Sequence, residues 1–151
     1  PWWNPDARGA FLGLQLATTR ADLMRAVLEG VALNLGLIAD LFRAHVPVDA
    51  LTVIGGGARS AVWRQTLADA CACPVRTLSR QDEATSMGAA IIGGVACGLF
   101  KDFDVVTRFV SEADTVAPDP AVSARYRRRR AVLERAYHGL VEVCAELAGG
   151  E

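Results

Sequence analysis

The chain has 151 residues, 52% of them hydrophobic and 22% charged, and a net charge of −1. That length and apolar share fit one globular domain with its own core and exclude a disordered chain. The near-neutral balance argues against nucleic acid or an anionic membrane as a general partner. No apolar run reaches the roughly 18 residues that a spanning helix needs.

The opening Pro1-Trp2-Trp3-Asn4-Pro5-Asp6 has no basic-then-apolar leader layout and no initiator Met, so it reads as part of something longer. Residues 1 to 8 are an irregular lead-in, with Trp2 and Trp3 expected to pack on a neighbouring surface rather than stack on a sugar. Gly9-Ala10-Phe11-Leu12-Gly13-Leu14 alternates small and large residues, which predicts a strand with close backbone neighbours. A long helix follows from Thr19 or Arg20 to His45. Leu23, Ala26, Val27, Gly30, Val31, Leu35 and Ile38 share one face, and no charge falls between Gly30 and Ala39. Such a helix is buried on more than one side. Arg25 and Glu29 stand four apart on it, the spacing of a local ion pair.

Beyond Pro47, strand and helix alternate with short connections. Ala50 to Gly55 is a strand, Ser60 to Ala72 a helix, Pro74 to Leu78 a strand and Ala84 to Gly98 a helix. This order signals an α/β layer with parallel pairing. Helix 84–98 is rich in small residues, which implies a tight contact with another element or a ligand loop, since each interior glycine costs about 1 kcal/mol relative to alanine. Phe100 to Val110 reads as a connector with a helical turn. Pro118-Asp119-Pro120 starts a last helix that runs to Leu147. On it, Arg127-Arg128-Arg129-Arg130 reads as a solvated face with at most one arginine paired locally, because four consecutive residues spread around a helix. The cysteines, Cys71, Cys73, Cys97 and Cys144, lack metal or redox spacing and read as reduced thiols packed as small apolar residues of a cytoplasmic protein.

The densest chemical signal is Thr52-Val53-Ile54-Gly55-Gly56-Gly57-Ala58-Arg59-Ser60, an apolar strand running into three glycines, with Ser60 opening a helix. Glycines permit a sharp turn and close backbone approach to a ligand, and the N–H groups at a helix start attract polar groups. Neither common phosphate fingerprint is met. Gly55 and Gly57 fit the first two positions of a dinucleotide loop, but Ser60 stands at the third, and the acids Asp82 and Glu83 come late for a ribose contact. A Gly-Lys-Ser/Thr ending is absent. Three readings stay open on these residues: a nucleotide loop, a dinucleotide-binding module of an oxidoreductase, and a ligand-free structural or oligomerising domain.

Three motifs in order resemble one family. Gly9 to Leu14 followed by Asp22-Leu23-Met24-Arg25-Ala26-Val27-Leu28-Glu29-Gly30 is similar to the C-terminal signature of the FGGY carbohydrate kinases. Gly55-Gly56-Gly57-Ala58-Arg59-Ser60 with Trp63, Gln65, Ala68 and Asp69 resembles that family's adenosine motif. Pro74-Val75 and then Glu83-Ala84-Thr85-Ser86-Met87-Gly88-Ala89-Ala90 continue the order. The likeness covers nearly the whole chain and is greatest to the xylulokinase-like branch.

The resemblance implies an α/β fold, part of an actin-like ATPase (ribonuclease H-like) domain. Residues 1–151 would form the C-terminal nucleotide-binding portion, a mixed sheet flanked by helices and incomplete at its N-terminal side. It implies transfer of the γ-phosphoryl of ATP, with Mg2+, to a sugar hydroxyl, a ketopentose such as xylulose. Gly55, Gly56, Gly57, Ala58 and Ser60 become the adenosine contacts. The family's catalytic base, phosphate loops and most sugar contacts have no counterpart here, so the chain alone is expected to be inactive, and its unpaired sheet edge to make it self-associate.

Overall fold

The computed structural model describes residues 2–149. Four α-helices and three strands follow in the order α1 (Arg20–Arg43), β1 (Leu51–Val53), α2 (Ala61–Cys71), β2 (Val75–Leu78), α3 (Ala84–Ala96), β3 (Glu112–Val116) and α4 (Pro120–Gly149). Single 3-10 turns occupy Gly56–Arg59, Gln81–Glu83 and Phe103–Arg108. Helix α1 starts where its capping chemistry begins. The Thr19 hydroxyl accepts from the Asp22 amide at 3.2 Å while the Asp22 carboxylate accepts from the Thr19 amide at 2.9 Å, a reciprocal box.

The sheet has the order β1-β2-β3. β1 and β2 run parallel with Leu51, Thr52 and Val53 opposite Val75, Arg76 and Thr77. β2 and β3 run antiparallel, with an irregularity at Thr77/Leu78. The sheet is therefore mixed and small, and β1 is an edge. Helix α2 is the centre of the packing: six consecutive residues, Thr66 to Cys71, are buried between the sheet, α1 and α4. The core gathers Ala32 and Leu33 of α1, Leu67, Ala68 and Ala70 of α2, Val75 of β2 and Tyr126 of α4. Helix α3 stands apart and packs chiefly on the turns Gln81–Glu83 and Phe103–Arg108.

Four expectations need correction. The α1 face of Leu23, Ala26, Val27, Gly30, Val31, Leu35 and Ile38 is not the buried one: Val27, Val31 and Leu35 are exposed, and α1 buries Ala32, Leu33, Gly36 and Ala39 instead, where it meets α2. Residues Gly9 to Leu14 form no strand. Gly13 turns to φ +77°, no neighbour lies within 4 Å of where a Cβ would stand on Gly9 or Gly13, and Phe11, Leu12 and Leu14 are exposed. A strand without a partner leaves its backbone groups to water, and none pairs with this segment. Strand β3 was not expected at all, because Glu112-Ala113-Asp114-Thr115 is polar and exposed; it exists through its ladder to β2 and through the ion pairs Arg76–Glu112 and Arg64–Asp114. Finally, Arg130 is not solvated. It is 4% exposed, donates to the Ala70 carbonyl at 3.0 Å and pairs with Asp40 at 3.0 Å, which ties α4 to both α1 and α2.

The Arg25–Glu29 pair does form, at 2.9 Å, but it is more than local. The Tyr126 hydroxyl donates to Glu29 at 2.9 Å and Arg129 pairs with its other oxygen, so one carboxylate joins α1 to α4. Burial alone would raise the Glu29 carboxyl; the bonds from Arg25 and Tyr126 and the charge of Arg129 outweigh it and hold the group below its ordinary value. Trp2 stacks on Tyr137 with centroids 4.0 Å apart, so the lead-in is clipped to α4 as expected, but Trp3, expected to pack likewise, is fully exposed. Cys71, Cys73 and Cys144 are buried as free thiols and Cys97 is exposed. Burial pushes the Cys71 thiol up to about 11.

Candidate adenosine-binding turn

The triple glycine leaves β1 at its carboxyl end, beside the carboxyl end of the parallel strand β2. In open α/β sheets the crevice outside those ends is where ligands bind. Gly55 carries φ +75° and ψ −167°, a conformation reserved for glycine. The chain then closes one 3-10 turn, with the Ala58 amide donating to the Gly55 carbonyl at 3.0 Å and the Ser60 amide to the Gly57 carbonyl at 3.2 Å.

The five candidate residues divide into two groups. Ala58 is fully buried, and the Arg64 guanidinium donates to its carbonyl at 3.0 Å. It anchors the turn and offers no surface to a ligand. Gly57 is also constrained, since a Cβ there would lie 3.1 Å from the Trp63 indole nitrogen. The indole therefore packs directly under the turn because residue 57 has no side chain. By contrast, a Cβ on Gly55 or Gly56 would meet nothing within 4 Å. The open side of the turn is backbone with free space before it, the geometry that allows a planar group close approach. Ser60 is exposed and caps α2, its oxygen accepting from the Trp63 amide at 3.2 Å. Its O–H proton is left to reach another acceptor.

Gln65 and Asp69, which share the glycine motif, serve the scaffold instead. The buried Asp69 carboxylate accepts from the Gln65 amide group at 2.9 Å and from the Asp119 backbone amide at 2.7 Å, and Gln65 also donates to the Ala117 carbonyl at 3.1 Å. They fasten α2 to the junction of β3 and α4. Asp82 lies in the turn after β2, and Arg59 holds it at 2.6 Å. The acid that a dinucleotide loop would direct at a ribose is thus engaged by a cation of the glycine turn itself. Among the described residues no three His, Cys, Asp or Glu side chains converge on a point where a metal ion could sit. No helix among them is long and apolar enough to cross a membrane.

Residues 1–97 match the model of the C-terminal domain of the FGGY family of carbohydrate kinases. The chain belongs to that family. As an FGGY domain it is 35% identical over 130 residues to a gluconokinase of Bacillus licheniformis, which covers 85% of this chain and 25% of that protein. It is 36% identical over 131 residues to a glycerol kinase of Myxococcus xanthus, covering 84% of this chain and 26% of the relative. The structure of ligand-bound xylulose kinase from Lactobacillus acidophilus superposes with a TM-score of 0.84 at 25% identity, over 96% of this chain and 30% of that one. The FGGY chain described here thus spans about a quarter to a third of the length of these relatives. Its fold is a partial actin-like ATPase domain, the small mixed sheet flanked by helices, as the resemblance implied. The three relatives are kinases named for different substrates: gluconate, glycerol and xylulose.

Proposed function

We propose that this chain supplies the adenosine side of the ATP site of a carbohydrate kinase, and that the whole protein transfers the γ-phosphoryl of ATP to a hydroxyl of a ketopentose such as xylulose. The observation that carries the nucleoside reading is the glycine turn: open space before Gly55 and Gly56, a buried Ala58 behind them and a capping Ser60 beside them, at the carboxyl end of a parallel strand. The xylulose reading rests on the likeness to xylulose kinase over nearly the full chain.

In this role the protein's own residues bind and orient. The backbone of Gly55 and Gly56 faces the base and ribose, Ser60 offers a hydroxyl donor, and Trp63 with Arg64 keeps the turn from collapsing into that space. Mg-ATP supplies the transferable phosphoryl group. In this reading the base toward the sugar hydroxyl and the metal ligands are supplied by other parts of the whole enzyme.

Calorimetric titration of the chain with AMP, ADP and ATP tests the nucleoside reading. All three should bind weakly and within roughly tenfold of one another, because only the nucleoside is gripped. A large gain from the γ-phosphate, or no binding of any of them, overturns it. In a protein of the relatives' length that carries this segment, preference for gluconate or glycerol over a ketopentose would overturn the sugar and leave the nucleoside reading standing.

The β1 edge supports a second property, self-association of the chain. A groove of about 470 Å3 runs beside it, lined by Leu35, Ile38, Phe42, Ile54, Trp63 and Leu67 among others, with no charged residue in its wall. The edge Ala50 to Ile54 carries no charge, proline or glycine to block pairing with a second copy. Gel filtration across a range of concentrations should show species larger than a monomer, and a single monomeric peak at every concentration would count against this.

A further inference from the structure

The glycine turn is held unevenly. Its second half is anchored by Ala58, by the Arg64 bond to the Ala58 carbonyl and by the Ser60 cap. Its first half has little holding it: β1 ends at Val53, Ile54 is half-exposed, and no neighbour stands within 4 Å of where a Cβ would lie on Gly55 or Gly56. The turn that follows β2 is fastened at its start, where the Ser79 amide donates to the Ser111 carbonyl at 2.9 Å and the Ser111 amide to the Ser79 hydroxyl at 3.0 Å. Beyond that point Arg80 takes the left-handed conformation at φ +58° without being glycine, and Glu83, the residue before α3, gives the helix no side-chain cap. These two turns flank the same crevice. Arg59 and Asp82 join them at 2.6 Å, and among the described residues no other ion pair does so. The residues stand 23 positions apart in sequence, so the contact exists only because β1 and β2 are parallel neighbours.

We propose that the Arg59–Asp82 pair is a latch that holds the glycine turn against the turn before α3, making both side chains positioning residues for a nucleoside through the turn they fix. The inference rests on the adenosine reading for its ligand but not for its geometry. The pair is well exposed, with side chains 65% and 56% accessible, so its loss should leave global stability almost unchanged and act on the local turn.

The test compares wild type with Asp82→Asn, Arg59→Gln and the charge swap Arg59→Asp with Asp82→Arg. Backbone amide exchange is read at Ala58 and Ser60, whose N–H groups close the turn, AMP affinity is read by calorimetry, and the melting temperature serves as the control. In both single variants exchange should quicken and AMP affinity fall by about twofold to fivefold, the range of an exposed ion pair. The swap should restore both, and raising the salt concentration should erase the difference between wild type and the single variants. Unchanged exchange in the single variants, or a swap that recovers nothing, overturns the latch. If wild type binds no AMP, the adenosine reading falls, and the exchange rates still decide whether the latch exists.

Discussion

Gly36→Ala is expected to lower the melting temperature by roughly 3–8 °C, although alanine is the better helix former. Gly36 lies in the middle of α1 where that helix meets α2 and α4. A Cβ at this position would fall 2.7 Å from the Ala70 carbonyl oxygen and 2.7 Å from the Arg130 guanidinium. The first of these is backbone and cannot turn aside, so α1 must move off α2. Overpacking of this kind costs about 1–3 kcal/mol, against a helix gain of about 1 kcal/mol. Displacing Arg130 adds to the loss, because it donates to that same Ala70 carbonyl and pairs with Asp40 on α1. Gly30, on the same helix, is the control. No neighbour stands within 4 Å of where its Cβ would lie, so Gly30→Ala should gain up to about 1 kcal/mol. Thermal unfolding of the two variants side by side decides the matter; equal melting temperatures would show that the α1–α2 contact is not tight.

The same region shows where sequence reading reaches and where it stops. Features set by neighbours in the chain were legible. Thr19 and Ser60 cap helices where their side chains promised, Pro47 follows the end of α1, and β1 and β2 pair in parallel because the intervening helix makes a crossover. Features set by distant residues were not. The four-arginine run looks like a polar surface in sequence. Yet Arg129 reaches Glu29, 100 positions away, and Arg130 reaches Asp40, nearly as remote in the chain, both in the opposite helix. Strand β3 carries no apolar alternation, because both of its faces meet solvent and its stability comes from the ladder to β2. Within the site, the glycines announced the turn, since a strand running into glycine has few other uses. That Ala58 is buried, and that Gln65 and Asp69 serve the α4 junction rather than a ligand, depended on how α2 packs. The signal that separates these roles is spacing: Gln65 and Asp69 lie one helical turn apart on one side of α2, where they bond each other and the segment between β3 and α4.

Gly55→Ala is expected to weaken AMP binding about tenfold or more while the fold survives. At φ +75° and ψ −167° a Cβ meets its own backbone, whatever the surrounding space, and the strain is of order 1–3 kcal/mol. Two ways of relieving it compete. The whole domain could open, or the peptide between Ile54 and Gly55 could rotate and carry the turn with it. The second is the cheaper, since Ile54 lies past the last ladder residue of β1 and the turn's first half has open space around it. The strain should therefore be relieved by misplacing the backbone of Gly55 and Gly56, the part proposed to face the nucleoside, and the core around Ala68 and Val75 should be little affected. Gly56→Ala separates strain from contact. Its φ is not in the left-handed region and its Cβ would meet nothing in the free protein, so the turn should keep its shape while a methyl group intrudes where the ligand belongs. Both variants should lose AMP affinity by calorimetry, but only Gly55→Ala should alter amide exchange across the turn when no nucleotide is present. Wild-type affinity for AMP in both variants would mean that the nucleoside, if bound at all, rests against some other surface of the domain.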